Sequence, residues 1–208
     1  MLILEVIMRK IYFKHGTMYS GKSLMLISTY HTYKHSKKKI LVLKPSADTR
    51  DFGIIKSRMS TETVGCMTYR QEDKIMDVVD DAIFMTREYP DVIMIDEVQF
   101  STEEQIKELH KLSESFPIMC YGLKTAYTGD LFPAIAKLLP LAEDVSEIKT
   151  TCAFCDRKAT HNLLVRNNKP IYKGAFVNVE GENKHDKYYA VCREHFYKPP
   201  LNTIQEVN

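Results

Sequence analysis

The sequence predicts an α/β protein in which a parallel sheet covered by helices is followed by a smaller β-rich unit. Three observations indicate this fold. A phosphate-binding loop motif stands between a strand-like and a helix-like segment, and short apolar runs then alternate with helical segments. Beyond residue 150 the pattern changes to short β-like pieces flanked by paired metal-ligand residues. We therefore predict two domains, 1–149 and 150–198, and a poorly ordered polar tail at 199–208.

The first element is the loop, which follows a strand-like segment at 10–15 and precedes a helix-like segment at 24–33. Its eight residues match GxxxxGK[ST] and are Gly16, Thr17, Met18, Tyr19, Ser20, Gly21, Lys22 and Ser23. The N–H groups of such a loop cradle phosphates, the lysine reaches the β- and γ-phosphates, and the hydroxyl can bind Mg²⁺. The motif predicts binding of a nucleoside triphosphate. The alternative is a glycine turn that matches by chance.

The following elements are predicted from hydrophobic periodicity. Further strands of the first domain are expected at 40–43, 92–95 and 118–121, and amphipathic helices at 74–85 and 102–113. In the second unit, β-like pieces are expected at 171–172, 175–179 and 188–192, between loops rich in glycine, asparagine and lysine.

Two adjacent carboxylates, Asp96 and Glu97, end the apolar run 92–95. In a phosphate-loop fold we expect this strand beside the loop's own strand, so that Asp96 reaches the Mg²⁺ shell opposite Ser23. Glu97 projects differently and is a candidate general base for a hydroxyl or water that attacks the γ-phosphate. Taken alone, Asp-Glu after an apolar run is also typical of a solvated strand end.

Two short knuckles carry four metal-ligand side chains, Cys152 and Cys155 in one and Cys192 and His195 in the other. Two such pairs suit tetrahedral Zn²⁺, and a site with four protein ligands is of the structural kind. The alternatives are a disulfide between the knuckles or unrelated thiols. Cys66 and Cys120 are isolated and are interpreted as small buried hydrophobic residues.

Composition argues against several classes of protein. The net charge of +2 provides no strong electrostatic footprint for nucleic acid. The apolar start, residues 1–8, has no basic region before it and no cleavage site after it, and no stretch approaches the ~20 apolar residues of a membrane-spanning helix. We therefore expect a cytoplasmic protein that binds neither nucleic acid nor membrane.

Together the motifs resemble the zinc-containing (type II) thymidine kinases, in order and spacing, from about Arg9 to Tyr197. The stretches that carry the resemblance are the loop 16–23, Lys44 to Arg50, Asp96 to Phe100, Gly122-Leu123, Leu131 to Pro133 and the two knuckles. The resemblance implies ATP-dependent phosphorylation of the thymidine 5′-hydroxyl in deoxynucleoside salvage for DNA synthesis. It also implies a RecA-like first domain, a zinc domain with a lasso loop, a homotetramer and feedback inhibition by dTTP.

The resemblance further implies roles for individual residues. Glu97 matches the catalytic base, Lys22 and Mg²⁺ held by Ser23 and Asp96 would stabilise the phosphates, and Arg58 resembles a basic position near the transferred phosphate. The remaining implied ATP-binding positions are the rest of the loop 16–23 and Gln99. The implied thymidine pocket comprises Met18, Phe100, Leu123, Tyr127, Phe132, Asn162, Val177, Val179 and Tyr188. Without the resemblance, its apolar members would be interpreted as ordinary core.

The chain departs from the family pattern at His195, where many relatives have cysteine, and at loop positions Thr17 and Tyr19. The lasso segment 180–186 is about two residues longer than usual. Two alternatives from other functional classes are an ATPase coupled to nucleic acid, in which Glu97 would activate water, and a non-catalytic nucleotide sensor.

Overall fold

The computed structural model describes residues 9–48, 52–174 and 185–200. A six-stranded sheet forms the first part of the molecule, and every neighbouring pair of strands in it is parallel. Its strands are β1 (Ile11–His15), β2 (Ile40–Pro45), β5 (Met67–Tyr69), β6 (Val92–Ile95), β7 (Ile118–Gly122) and β8 (Asp144–Glu147), in the order β5-β2-β6-β7-β1-β8. Between β2 and β5 the chain forms an antiparallel hairpin of β3 (Ile54–Lys56) and β4 (Thr63–Gly65).

Helices cover both faces of this sheet. They are α1 (Lys22–His35), α2 (Ile75–Thr86), α3 (Glu103–Leu112) and α4 (Pro133–Leu138). Alternate residues of β6 point to opposite faces: Ile93 and Ile95 join the core under α2, α3 and α4, whereas Val92 and Met94 join the core under α1 and the hairpin. This period of two is the reason why a strand buried on both faces is a continuous apolar run.

Thr102 caps the start of α3. Its hydroxyl accepts a hydrogen bond from the Gln105 N–H, while Gln105 Oε1 accepts one from the Thr102 N–H. This reciprocal capping box pairs two N–H groups at the end of the helix. Gln105 is buried, and its Nε2 also donates to the carbonyls of Arg70 and Asp73, which ties the start of α3 to the loop before α2.

A second, antiparallel sheet lies in the C-terminal part of the chain, in the order β10-β9-β11. It consists of β9 (His161–Arg166), β10 (Lys169–Ile171) and β11 (Asp186–Val191), and the short helix α5 (Arg193–Tyr197) follows it. The predicted strand at 175–179 lies outside the described residues. The predicted tail at 199–208 also lies outside them from residue 201 onward, and the domain boundary near residue 150 stays a prediction.

The predicted α/β class, with a parallel sheet flanked by helices, is confirmed, and so are the predicted elements of the first part of the chain. One expectation is wrong: β6 does not lie beside β1, because β7 pairs with both and separates them. The sequence pattern identified β1, β6 and β7 as strands, but strand neighbours are decided by long-range pairing. The short elements β3, β4, β5, β8 and α4 had too few residues to produce a clear periodic pattern.

Among the described residues, none of the helices has both the length and the apolar character needed to cross a bilayer.

Candidate active site

The phosphate-binding loop connects β1 to α1, as its motif predicts. Gly21 adopts a left-handed conformation (φ 85°) immediately before the helix, and a side chain there would be strained. A Cβ atom on Gly16 would lie 2.6 Å from the Ile148 carbonyl, so only glycine fits at that position. Lys22 Nζ donates a hydrogen bond to the Thr17 carbonyl at 2.8 Å, and its ammonium therefore lies back over the loop. The hydroxyls of Thr17 and Ser20 are buried with no hydrogen-bond partner in the described structure.

Ser23 and Asp96 meet at the carboxyl edge of the sheet. The Ser23 hydroxyl donates to Asp96 Oδ2 at 2.9 Å, although β7 lies between β1 and β6. The contact is possible because α1 crosses from β1 to pack on β7 and β2. Leu26 and Ile27 of α1 lie in the same buried cluster as Val42 and Tyr121. The first turn of α1 thus lies near the end of β6.

Asp96 has the environment of a metal ligand. It is buried, and its Oδ1 atom has no hydrogen-bond partner in the described structure. Burial, followed by repulsion from Glu97, raises the pKa of the Asp96 carboxyl to about 7, and the Ser23 hydroxyl and the Lys22 and Lys44 ammonium groups oppose that rise. A buried carboxylate oxygen without a partner, beside a serine hydroxyl, fits a hard cation such as Mg²⁺, which prefers oxygen ligands.

Glu97 adopts a left-handed conformation (φ 51°) at the start of a 3-10 turn, Val98–Phe100. Gln99 is buried and holds this carboxylate: its Nε2 donates to Glu97 Oε2 at 2.5 Å. Gln99 Oε1 accepts a hydrogen bond from the Leu123 N–H at 3.0 Å. A Cβ atom on Gly122 would lie 2.5 Å from Gln99 Oε1, so the glycine leaves room for this amide. The resemblance implied only an ATP-binding role for Gln99; its contacts with Glu97 and Leu123 could not be predicted from spacing.

One cavity of about 380 Å³ joins these groups to the implied thymidine pocket. Predicted residues that line it are Met18, Tyr19, Gly21, Lys22, Ser23, Arg58, Asp96, Glu97, Gln99, Phe100, Leu123, Tyr127, Phe132, Asn162 and Tyr188. Gly16, Thr17 and Ser20 form the loop but do not line the cavity. Val177 and Val179 lie outside the described residues. Phe100 and Phe132 pack edge to face with their ring centroids 6.2 Å apart, and Tyr127 packs on Tyr188 in the same way at 6.5 Å.

Six residues that line the cavity were not predicted, namely Lys44, Asp48, Lys56, Ser57, Met59 and Ala126. Lys44 and Asp48 form a buried ion pair at 2.9 Å. They belong to the stretch 44–50 that supported the resemblance, but nothing in the sequence indicated that their side chains pair. Lys56 is the last residue of β3, and Ser57 and Met59 lie between β3 and β4, a hairpin that the sequence did not predict.

Arg58 lies at the same edge of the cavity. Its guanidinium stacks over the Tyr19 ring, 4.9 Å from the ring centroid. The loop residue Tyr19 therefore positions the cationic side chain beside the phosphate-binding loop.

The four knuckle side chains come together in the C-terminal unit, as predicted. Their ligand atoms all lie within 4.8 Å of one another, and the separations are 3.8 Å for Cys155 Sγ to Cys192 Sγ and 3.3 Å for Cys152 Sγ to His195 Nδ1. Tetrahedral zinc with Zn–S bonds of about 2.3 Å requires sulfur atoms about 3.8 Å apart. The Arg157 main-chain N–H lowers the pKa of the Cys155 thiol, whereas burial raises the pKa of the Cys152 thiol. The residues fit a structural zinc site.

Comparison with known proteins provides independent information. A family profile described as "Thymidine kinase" matches residues 9–196. Curated relatives include the thymidine kinase of Streptococcus pyogenes serotype M3, 33% identical over 199 residues, and that of Streptococcus agalactiae serotype Ia, 32% identical; in both cases the match covers 93% of this chain and all of the relative.

Solved structures with a similar arrangement include the Legionella pneumophila ATPase DotB and the Pif1 helicase of Candida albicans. The first has a TM-score of 0.42 and 18% identity over 75% of this chain and 46% of that chain. The second has a TM-score of 0.42 and 12% identity over 67% of this chain and 36% of that chain. This chain thus spans less than half the length of either protein.

Proposed function

The chain belongs to the thymidine kinase family, and on this basis we propose that it transfers the γ-phosphate of ATP to the 5′-hydroxyl of thymidine, with Glu97 as general base. It is an enzyme of this family, a phosphotransferase whose substrates are ATP and thymidine. The observation that carries the proposal is the single cavity that Lys22, Ser23, Asp96 and Glu97 share with an apolar wall. The triphosphate and the nucleoside can therefore bind side by side in one space.

Glu97 is proposed to take the proton of the 5′-hydroxyl as that oxygen attacks phosphorus. A general base has to lie within hydrogen-bond reach of the proton that it removes. The left-handed backbone at Glu97 and the hydrogen bond from Gln99 hold the carboxylate at the cavity, beside the end of β6. Gln99 also binds the Leu123 N–H, so the base and one part of the nucleoside wall are joined by a single buried amide.

The loop and Lys22 are proposed to bind the β- and γ-phosphates. Phosphoryl transfer needs positioning and charge stabilisation more than covalent chemistry from the protein. Ser23 and Asp96 would hold Mg²⁺, which when bound neutralises charge on the triphosphate. Arg58, stacked on Tyr19, is proposed to contribute positive charge near the transferred group.

The nucleoside is proposed to bind between apolar walls. Phe100 and Phe132 come from one side of the cavity, and Tyr127 and Tyr188 come from the side formed with the second sheet. A nucleobase has two apolar faces and a polar edge, which suits aromatic walls with a few polar groups between them. Val177 and Val179 remain proposed contacts from the lasso loop.

Zinc bound by the two knuckles is proposed to be structural, because the four protein ligands leave no open coordination position. The family resemblance also supports feedback inhibition by dTTP and a homotetramer, which we propose for this chain. A cytoplasmic location stays a prediction from the sequence.

Transfer of labelled γ-phosphate from MgATP tests this proposal. Thymidine should be converted to dTMP, whereas deoxyadenosine, deoxycytidine and a control without nucleoside should yield far less labelled product. ATP hydrolysis that is independent of nucleoside and faster with single-stranded DNA would overturn the proposal in favour of an ATPase coupled to nucleic acid.

A further inference from the structure

Asn162 lies where the second sheet packs on the phosphate-binding loop. The contact is an apolar cluster in which Tyr127, Leu164 and Tyr188 are buried and Met18 and Ile171 are partly buried. Asn162, only 3% exposed, provides an amide at this contact. A buried amide lowers stability unless its polar atoms are hydrogen-bonded, so its partners indicate what it does.

The amide group of Asn162 binds two main-chain groups from different parts of the chain. Its Oδ1 accepts a hydrogen bond from the Met18 N–H at 2.8 Å, and its Nδ2 donates to the Thr125 carbonyl at 3.1 Å. A backbone N–H can only donate and a carbonyl oxygen can only accept, so the orientation of the amide follows from its partners. Only a side chain with a donor and an acceptor side by side satisfies both.

The two partners belong to two separate segments of the chain that contribute residues to the cavity. Met18 is in the phosphate-binding loop, and Thr125 lies between Leu123 and Ala126, which line the nucleoside part. Asn162 itself is on β9, whose next residues alternate: Leu163 and Val165 pack in the core beside the zinc ligands, and Leu164 packs toward the loop. Strand β9 is thus connected on one face to the metal cluster and on the other to the cavity.

We propose that Asn162 is a positioning residue, which holds the segments that contain Met18 and Thr125 at the separation needed to bind the nucleoside. This inference rests on the proposed function. It differs from the role implied by family resemblance, in which Asn162 belongs to the substrate contacts. The Asn162 amide forms its two hydrogen bonds with main-chain groups of Met18 and Thr125. Loss of the amide should therefore weaken nucleoside binding more than it slows phosphate transfer.

Two substitutions separate this role from a general loss of stability. Asn162→Leu removes both hydrogen bonds at similar volume. Asn162→Asp keeps an acceptor for the Met18 N–H. When it is ionised, its second oxygen faces the Thr125 carbonyl and cannot donate to it. When it is protonated, its O–H can donate to that carbonyl as the amide does. Asn167→Asp, in the exposed turn between β9 and β10, is the matched control.

Steady-state kinetics with thymidine should be measured from pH 6 to pH 8.5. The KM and kcat of each variant are then divided by the wild-type values at the same pH. This ratio cancels the effect of ionisable groups that titrate in the same way in both proteins. The ionisable side chains beside position 162 are His161, Tyr127 and Tyr188. At pH 8 we expect Asn162→Asp to raise the thymidine KM about tenfold or more, with kcat within about threefold, as for a buried hydrogen-bonding group left unsatisfied. The KM ratio of Asn162→Asp should fall toward one at pH 6, because the protonated carboxyl can donate to the Thr125 carbonyl. The KM of Asn162→Leu should stay raised at every pH.

An unchanged KM in the aspartate variant, or a defect with the same size at every pH, would overturn the inference. Because the aspartate variant is compared with itself across pH, the test does not depend on whether Asn162→Leu folds. Failure of the proposed function is a separate outcome, since the wild type would then form no dTMP at any pH.

Discussion

Ser23 Oγ and Asp96 Oδ2 lie 2.9 Å apart, although the strands that precede them are not neighbours. Strand β7 lies between β1 and β6, and helix α1, which begins after β1, packs over β7. The carboxyl ends of parallel strands meet at one edge of the sheet, so residues from non-adjacent strands can share a ligand there. This pair brings the phosphate-binding loop and the Asp96-Glu97 carboxylates into one site.

Replacement of Glu97 by glutamine should lower kcat by at least about a hundredfold and leave ATP binding largely intact, because the amide keeps the size of the side chain but cannot accept the proton. Turnover and nucleotide affinity should be measured together. Glu114→Gln, at an exposed position after α3, is the control. An unaltered kcat in Glu97→Gln would remove Glu97 from the mechanism.

Gln99 should act through Glu97. Gln99→Leu removes the 2.5 Å hydrogen bond that holds the carboxylate, and kcat should fall about tenfold. In the double variant with Glu97→Gln, the rate should be no lower than in Glu97→Gln alone, because there is no base left to position. Gln71→Leu, at an exposed site, serves as control. Additive losses in the double variant would show that Gln99 acts independently of Glu97.

Lys22→Ala should reduce kcat/KM by at least about a hundredfold, since we propose that this lysine is the charged contact of the loop for the β- and γ-phosphates. The exposed Lys34, in the last turn of the same helix, provides the matched alanine variant. Initial rates at several ATP concentrations are sufficient for the comparison. Full activity of Lys22→Ala would contradict the assignment of the loop.

Asp96 should make stability depend on pH when Mg²⁺ is absent. Its pKa is raised from 3.8 to about 7, so the folded state binds this proton more tightly than the unfolded chain does, and the contribution of Asp96 to stability falls as pH rises through that range. Asp96→Asn cannot ionise and escapes this loss. Its Tm relative to the wild type should therefore rise by a few degrees between pH 5 and pH 8.

Thermal denaturation at pH 5, 6, 7 and 8 without added Mg²⁺ checks this expectation, with Asp80→Asn at an exposed position of α2 as control. A Tm difference between Asp96→Asn and the wild type that is constant over the whole range would contradict it.

Zinc analysis should find about one ion per chain, because the two knuckles form one four-ligand group. Cys192→Ser should lose zinc and lower Tm, while His195→Cys should retain zinc, since thiolate is an equally good fourth ligand. Cys66→Ser, away from the cluster, should keep its zinc. Metal content measured after dialysis against a weak chelator distinguishes these variants, and zinc-free wild type with an undiminished Tm would refute a structural metal.

Much of the fold could be predicted because its signals are local. The apolar run 92–95 is a strand in the structure with the same bounds. Thr102 caps the start of α3 and Ser113 caps its end, at the two limits of the amphipathic pattern. The prediction failed for β3 and β4, whose three residues each are too few to show a period. Residues 56–59 of their hairpin nevertheless line the cavity.

Much of the candidate chemistry is visible in short stretches of sequence: the phosphate-binding loop, the Asp96-Glu97 pair and each of the two Cys/His knuckles are recognisable within a few residues, since closely spaced side chains need little of the fold to act together. The three-dimensional packing of the chain then determines which of these groups meet, including the two knuckles, and what holds them. It placed β7 between β1 and β6, turned the Gln99 amide toward Glu97 and Leu123, paired Lys44 with Asp48, and set Asn162 between Met18 and Thr125. Most of these relationships depend on packing between residues far apart in the chain, which local patterns do not record.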